Sequence, residues 1–371
     1  MLPLMQALAN RGMRIVLVAC DLSHVAIIRA AVPAATIIQA PVWPAQRRLN
    51  QQQAAANYSD ILGLVGFADV SRLSIMLLAW DGLLDAIQPD LVIADHSPGL
   101  LLAMRGRPTP VVALGTGYTM PPLEWPEFPP LRIDLAPLFP QDRLLSSIRQ
   151  VLISRGAEAP KHLTDAFRSA ERFVFGIDIL DPYAAYRNEP LLASPEKQPR
   201  LTPPPAEPHV FAYLSSDMPN LDALVQSLAR LQMKVTVFLR GDAGPAAEFL
   251  KLRGHTVFDQ PLALAEILPS CSLVLSSAGA YTTQAAILAG RPQLLMPAQH
   301  EASLNTDAIT SHGLGIRLDP RASDADLAVS IQATASDVDL ANHCMAFANS
   351  LPKKSAVTAD DMIKRMTTLI N

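Results

Sequence analysis

Charge is scarce in this chain, and an excess of either sign is scarcer still. Only 17% of the residues are Asp, Glu, Lys or Arg, and 30 basic against 34 acidic side chains leave a net charge of −4. With no long basic run, the composition argues against a nucleic-acid partner. Cysteine is nearly missing. Cys20, Cys271 and Cys344 lie far apart, which fits a reducing cytoplasm and leaves neither a disulfide framework nor a CxxC metal site. No uncharged apolar run reaches about 18 residues, so no transmembrane helix is expected. The stretch Leu73 to Ile87 is broken by Asp81 and Asp85 and reads as a buried amphipathic helix. No GxGxxG follows a strand and no GxxxxGK[ST] occurs, so neither a nicotinamide dinucleotide nor a P-loop nucleotide is expected. No HxH or HxxxH pair offers metal spacing, and no metal is expected. The opening residues Met1 to Ala9 lack the basic start and cleavage site of a signal peptide.

What is present is apolar sequence in alternating periods. Half of the 371 residues are hydrophobic, enough for two packed domains at about 100–200 residues each. Met1 to Ala9 reads as an amphipathic helix closed at Gly12, and Met13 to Ala19 as a strand buried on both faces. Further strands read at Leu91–Ala94, Val111–Leu114, Val210–Leu214, Val235–Leu239, Thr256–Phe258, Leu273–Ser276, Gln293–Met296 and Ile316–Leu318. Helical stretches between them predict an α/β protein with doubly wound parallel sheets. The 32 prolines cluster at Pro121–Pro140 and at Asp181–Pro208, the latter a stiff spacer. The expected division is an N-terminal domain over 1–185, a Pro-rich linker over 186–207, and a C-terminal domain over 208–371 that includes the last helix.

One segment carries chemistry. From Leu273 to Asn305 a strand ends at Ser276-Ser277, a turn of Ala278-Gly279-Ala280 follows, and a helix starts near Tyr281 and stops at Gly290. A helix start after a strand presents unpaired N–H groups and partial positive charge, a place for phosphate or diphosphate. Gly279 permits close backbone approach, and Thr282 and Thr283 add hydroxyl donors. Gln299, His300 and Glu301 follow the next strand at its carboxyl end, where open α/β sheets bind ligands. Small residues in such a turn also serve packing alone, and both readings stand on the residues by themselves.

The segment resembles the donor-binding motif of GT-B glycosyltransferases, in particular the bacterial relatives of UDP-glycosyltransferases and macrolide glycosyltransferases. Thr282-Thr283, Ala286, Ala289-Gly290, Pro292, Pro297, Glu301 and Asn305 carry the match, and Pro89–Asp95 and Val111–Gly117 look like the acceptor side. The resemblance implies two Rossmann-like domains facing across a cleft and transfer of a sugar, with inversion and without metal, from a nucleotide-diphosphate donor to a hydroxyl acceptor. It implies diphosphate contacts at Ser277, Gly279, Ala280, Tyr281, Thr282 and Thr283, and sugar contacts at Gln299, His300, Glu301 and Asn305. Nucleotide contacts fall at Ser215, Ser216, Phe258 and Gln260, with Asp217 beside them. Trp125 and Phe128 are the candidates for a pocket taking a small or lipid-like acceptor. No cofactor is implied beyond the sugar nucleotide as co-substrate, and the expected location is the cytoplasm, with the inner-membrane surface as a further option.

Departures from the pattern are specific. The motif histidine falls on Ser277, a glycine on the bulky Tyr281, the helix glutamate on Ala285, and the acid–Gln pair on Glu301-Ala302. By the spacing of Pro3, the family's first strand and base histidine are expected immediately before Met1, so the N-terminal sheet is expected to lack that strand. Asp95 matches the aspartate that orients this base, with helix capping as its plainer role. His96 and His24 are the nearest other histidines, both read as ordinary loop residues. Two competing readings follow: a non-catalytic sugar-nucleotide binder, and a sugar-nucleotide epimerase.

Overall fold

The computed structural model describes residues 1–42, 54–216, 218–241, 244–352 and 357–370. They form two compact units, Met1–Glu196 with Ser355–Asn371, and Lys197–Lys354. Unit 1 runs α1 (Leu2–Ala9), β1 (Val16–Ala19), α2 (Val25–Ala31), β2 (Thr36–Gln39), α3 (Tyr58–Leu64), α4 (Val70–Ile87), β3 (Val92–Asp95), α5 (Pro98–Ala103), β4 (Val111–Thr116), α6 (Gln141–Ser154) and β5 (Glu171–Phe175). Unit 2 runs β6 (His209–Ser215), α7 (Leu221–Ala229), β7 (Lys234–Arg240), α8 (Gly244–Leu252), β8 (Thr256–Phe258), α9 (Leu264–Ile267), β9 (Leu273–Ser276), α10 (Ala280–Ala289), β10 (Gln293–Leu295), α11 (His300–Ser311), β11 (Gly315–Arg317), α12 (Asp324–Ala335) and α13 (Val338–Ser350). The final helix, α14 (Ala359–Thr367), belongs to unit 1.

Every ladder is parallel. Unit 2 holds one sheet in the order β11-β10-β9-β6-β7-β8, whose central strands are almost wholly buried. Unit 1 holds two sheets, β1-β2 and β3-β4-β5. Among the described residues, β1 and β3 each have a ladder partner on one side only. This split explains why Met13–Ala19 is not a strand buried on both faces. All four residues of β1 are half-buried, and α2, although rich in Val, Ile and Ala, buries none of its side chains. Among the described residues, no helix is long and apolar enough to cross a membrane.

Two features of the expected division are corrected. The last helix does not join the C-terminal domain. Its Met362, Ile363 and Met366 close a core with Leu4 and Leu8 of α1 and with Val112, Leu114 and Phe173 of the β3-β4-β5 sheet. Ion pairs Arg11–Asp360 at 2.8 Å and Arg365–Glu171 at 2.6 Å fasten it further. Nor is 186–207 a spacer. Its first part packs on unit 1, where Leu192 bridges Phe175 and Leu191 is buried. Arg187 is buried with Asp181 at 2.6 Å, and its Nη2 donates to the carbonyls of Gly117 and Met120 at 3.0 and 2.9 Å. Proline density marks stiffness, and here the stiff chain lies along the surface of each unit in turn.

Arg291 holds the second part of that segment. It is 1% exposed, and its guanidinium donates to the carbonyls of Leu268, Thr202, Pro203 and Pro269 and to the Thr202 hydroxyl. Burial alone would penalise this charge, and five oxygen acceptors offset the penalty. Arg291→Met keeps the apolar stem and strands those acceptors, so unit 2 is expected to lose about 3 kcal/mol or more. Urea unfolding followed by near-UV circular dichroism checks this, and a loss below about 0.5 kcal/mol would refute the role.

Candidate functional site

Parallel pairing aligns the carboxyl ends of the unit 2 strands on one edge. That edge carries Ser215 and Ser216 after β6, Arg240 at the end of β7, Phe258 at the end of β8, the Ser277–Ala280 turn after β9, and Gln299–Glu301 after β10. The turn is built for shape. Ala278 takes a left-handed φ of 63°, unusual for a residue with a Cβ. Ser276 Oγ accepts the Ala278 N–H at 3.2 Å, and Asn305 Nδ2 donates to the Ala278 carbonyl at 2.9 Å. Gly279 then serves as N-cap of α10 with no side-chain cap, and open space surrounds the place where its Cβ would stand. No side chain of the N-cap residue therefore covers the first N–H groups of α10, the kind of helix start at which anions bind.

The predicted donor residues divide by burial. Gly279 is exposed, Ala280 half-buried and Tyr281 41% exposed at the helix start. Thr282 and Thr283 are 3% and 0% exposed, and the Thr283 hydroxyl is enclosed without a hydrogen-bond partner. Helical phase thus turns both threonine side chains inward, and the groups exposed at the helix start belong to Gly279 and Tyr281. Asn305 is buried and donates its amide to the turn. Gln299 caps α11, and His300 and Glu301 form its first turn, a second helix start on the same edge. Phe258 is 38% exposed rather than a core residue, and Gln260 is exposed beside it, as nucleobase contacts need. Ser215 Oγ accepts from Arg240 Nε and Nη2 at 3.2 and 3.1 Å, and Ser216 is exposed. Asp217 lies outside the described residues. Arg240 is a cation on this edge that sequence reasoning missed; its signal was a basic residue closing the run KVTVFLR before Gly241.

In unit 1, Asp95 ends β3. Its carboxyl pKa is raised by burial, against the lowering influence of the Met1 amino group. His96 has a left-handed φ of 41°, and its Nε2 lies 3.2 Å from the Tyr58 hydroxyl. Burial lowers the His96 pKa and holds the ring neutral. Tyr58 is itself buried, which raises its pKa. His24 merely precedes α2 as its exposed N-cap residue. Trp80 is a buried core residue.

Trp125 and Phe128 come together on a cavity of about 410 Å³, walled also by Tyr186, His162, Leu163 and Leu145. Trp125 is 44% exposed, donates its indole N–H to the Tyr186 carbonyl at 2.9 Å and meets the Tyr186 ring edge-on at 6.2 Å. Tyr186 was illegible in the sequence because it lies in the supposed linker. Two polar side chains, Asp60 and Gln141, and a backbone bridge at Asn57 hold the proline-rich loop that carries this cavity. Asp60 accepts the N–H groups of Ala56, Leu138 and Phe139, each at 2.8 Å. Asn57 bridges Pro130, and Gln141 binds both the N–H and the carbonyl of Phe128 at 2.8 and 3.0 Å.

No protein-family model matches the chain. It is 32% identical over 133 residues to L-demethylnoviosyl transferase of Streptomyces niveus, covering 34% of this chain and 35% of that protein. It is 28% identical over 128 residues to 10-deoxymethynolide desosaminyltransferase of Streptomyces venezuelae, covering 32% and 30%. The matched region thus spans about a third of each relative. Solved structures match along the whole chain. The calicheamicin glycosyltransferase CalG4 superposes with a TM-score of 0.67 at 18% identity, over 100% of this chain and 94% of that one. The spinosyn rhamnosyltransferase SpnG gives 0.65 at 16%, over 99% and 95%. The chain has the GT-B glycosyltransferase fold. Within this GT-B chain, the sheet edge of unit 2 and the β3 end of unit 1 are the places that the resemblance assigned to donor and acceptor.

The raised pKa of Asp95 has a pH consequence. In the folded state the carboxyl binds its proton more tightly than the unfolded value of about 3.9. Stability therefore falls as pH rises from the unfolded to the folded pKa. Asp95→Asn is expected to make the protein slightly more stable than wild type at pH 7, with the gain gone below about pH 4. Thermal unfolding from pH 3.5 to 7.5 checks this; a variant less stable at pH 7 would show that the carboxylate is favoured where it stands.

Proposed function

We propose that this protein transfers a sugar from a nucleoside-diphosphate donor to a hydroxyl of a small or lipid-like acceptor, with inversion and without a catalytic metal or further cofactor. The observation that carries the reading is the Ser277–Ala280 turn, fixed by Asn305 and a left-handed Ala278 so that α10 starts at the carboxyl edge behind an uncapped Gly279, as a diphosphate site needs. In the reaction the acceptor oxygen attacks the anomeric carbon, the bond to the diphosphate oxygen breaks, and the nucleoside diphosphate departs with its charge held by the α10 N–H groups. The acceptor proton would pass to a water at the carboxyl end of β3, held by Asp95. Phe258 and Gln260 would contact the base, Ser215, Ser216 and Arg240 the ribose–phosphate part, and Gln299, His300 and Glu301 the sugar. The acceptor would enter at Trp125 and Phe128. We place the reaction in the cytoplasm, at the membrane surface if the acceptor is lipid-like.

The same edge supports a second reading. Ser277 carries no positive charge and Tyr281 stands exposed over the helix start, which favours a protein that holds the sugar nucleotide without turning it over. Hydrolysis-free binding with no transfer to any acceptor would select it. Loss of configuration in the sugar nucleotide with no acceptor present would select an epimerase.

Gly279→Asp tests the diphosphate site without harming the fold. Asp is a better N-cap than Gly, φ at this position is −62°, and nothing stands where the side chain would go. The variant is expected to melt at or above the wild-type temperature and to bind UDP or dTDP at least about 100-fold more weakly, because a carboxylate occupies the anion's place. Both nucleotides belong in the calorimetry, since one similar solved structure, that of the glycosyltransferase VinC, is a dTDP complex. Unchanged affinity would remove the turn from the donor site. Gly279→Asn, an uncharged cap, is expected to keep most of the affinity.

A further inference from the structure

Phe128 borders two cavities at once. Outside it lies the cavity of about 410 Å³ at Trp125 and Tyr186. Inside lies a chamber of about 20 Å³, room for a water, bordered by Tyr58, His96, Thr119 and Arg172. The chamber adjoins the carboxyl end of β3 through Ala94 and His96, the neighbours of Asp95. The Phe128 ring is buried between the two spaces, edge-on to Tyr58 at 5.1 Å and 74° and inclined to Phe167 at 5.6 Å and 48°.

This wall is held from behind. Gln141 clamps the Phe128 backbone on both its donor and its acceptor. Asn57 and Asp60 fix the loop on either side at Pro130 and at Leu138–Phe139. The loop is thereby kept from drawing back to enlarge the outer cavity. Among the described residues, Phe128 is the one residue that lines both spaces.

We propose that Phe128 is a specificity-determining wall. It stops an acceptor at the outer cavity and keeps the His96 chamber for a water. This rests on the acceptor role given above to the Trp125 cavity. An apolar planar alcohol fits the outer space, with its rings against Trp125 and Tyr186 and its hydroxyl towards Phe128. A smaller residue at 128 merges the two spaces and admits a longer ring system.

The test uses the full chain and two phenols of different length, 2-naphthol and 2-hydroxyanthracene, with binding read by their fluorescence. Wild type is expected to prefer 2-naphthol. Phe128→Ala is expected to shift the ratio of the two dissociation constants by about tenfold or more towards the longer phenol. Phe128→Leu, which keeps more of the apolar volume, is expected to shift it in the same direction and carries the test if the alanine variant does not fold. Trp125→Ala is expected to weaken both phenols by a similar factor and leave the ratio unchanged. A ratio that stays constant in the folded Phe128 variants overturns the proposal, as does a wild-type protein that binds neither phenol. Nucleoside-diphosphate binding and sugar transfer are measured alongside. A changed ratio with no transfer refutes the transferase reading while the wall stands. An unchanged ratio with transfer intact refutes the wall alone.

Discussion

Parallel strand pairing is the constraint from which the rest of this molecule follows. It sends each strand's carboxyl end to the same edge, and each crossover helix then begins at that edge with its N–H groups outward. In unit 2 this brings Ser216, Arg240, Phe258, Gly279 and Gln299 into one row although they span 84 positions of sequence, from 216 to 299. No single residue in that row makes a binding site. The chemistry comes from the shared direction of the strands, and side chains refine it.

Refinement is the work of buried and half-buried polar side chains that bind backbone. Asn305 sets the carbonyl of Ala278, Gln141 holds Phe128 on both sides, Asp60 gathers three N–H groups, and Arg187 and Arg291 each collect carbonyls from separate segments. A buried side chain that satisfies backbone groups fixes a loop more tightly than apolar contact does, because losing one partner leaves several groups stranded. The long proline-rich stretches at 121–140 and 181–208 are held in place in this way.

The strands of unit 2 were legible because each is a continuous apolar run, and Thr256–Phe258 and Leu273–Ser276 have the expected bounds. β2 and β5 were not. β2 has only Ile37 and Ile38 as an apolar centre, and Glu171 and Arg172 disguise the start of β5. The donor turn was readable from its small residues, but which side chains face out was not. Thr282, Thr283 and Asn305 are buried and shape the turn, and a motif does not separate packing and loop shape from ligand contact. Asp60, Gln141 and Tyr186 escaped because their partners are backbone atoms distant in sequence. The 181–208 stretch was misread because proline content reports stiffness and says nothing of what the stiff chain lies against.

The return of α14 to unit 1 makes unit 2 an insertion within its neighbour. A ribosome emitting this chain completes the strands and helices of Lys197–Lys354 before it releases the Met362, Ile363 and Met366 that seal the first unit's core. The domain begun first is therefore finished last. Until then the α1 face of its β3-β4-β5 sheet stays open, and that apolar surface must wait in water, or with a chaperone, for as long as the second domain takes to be made.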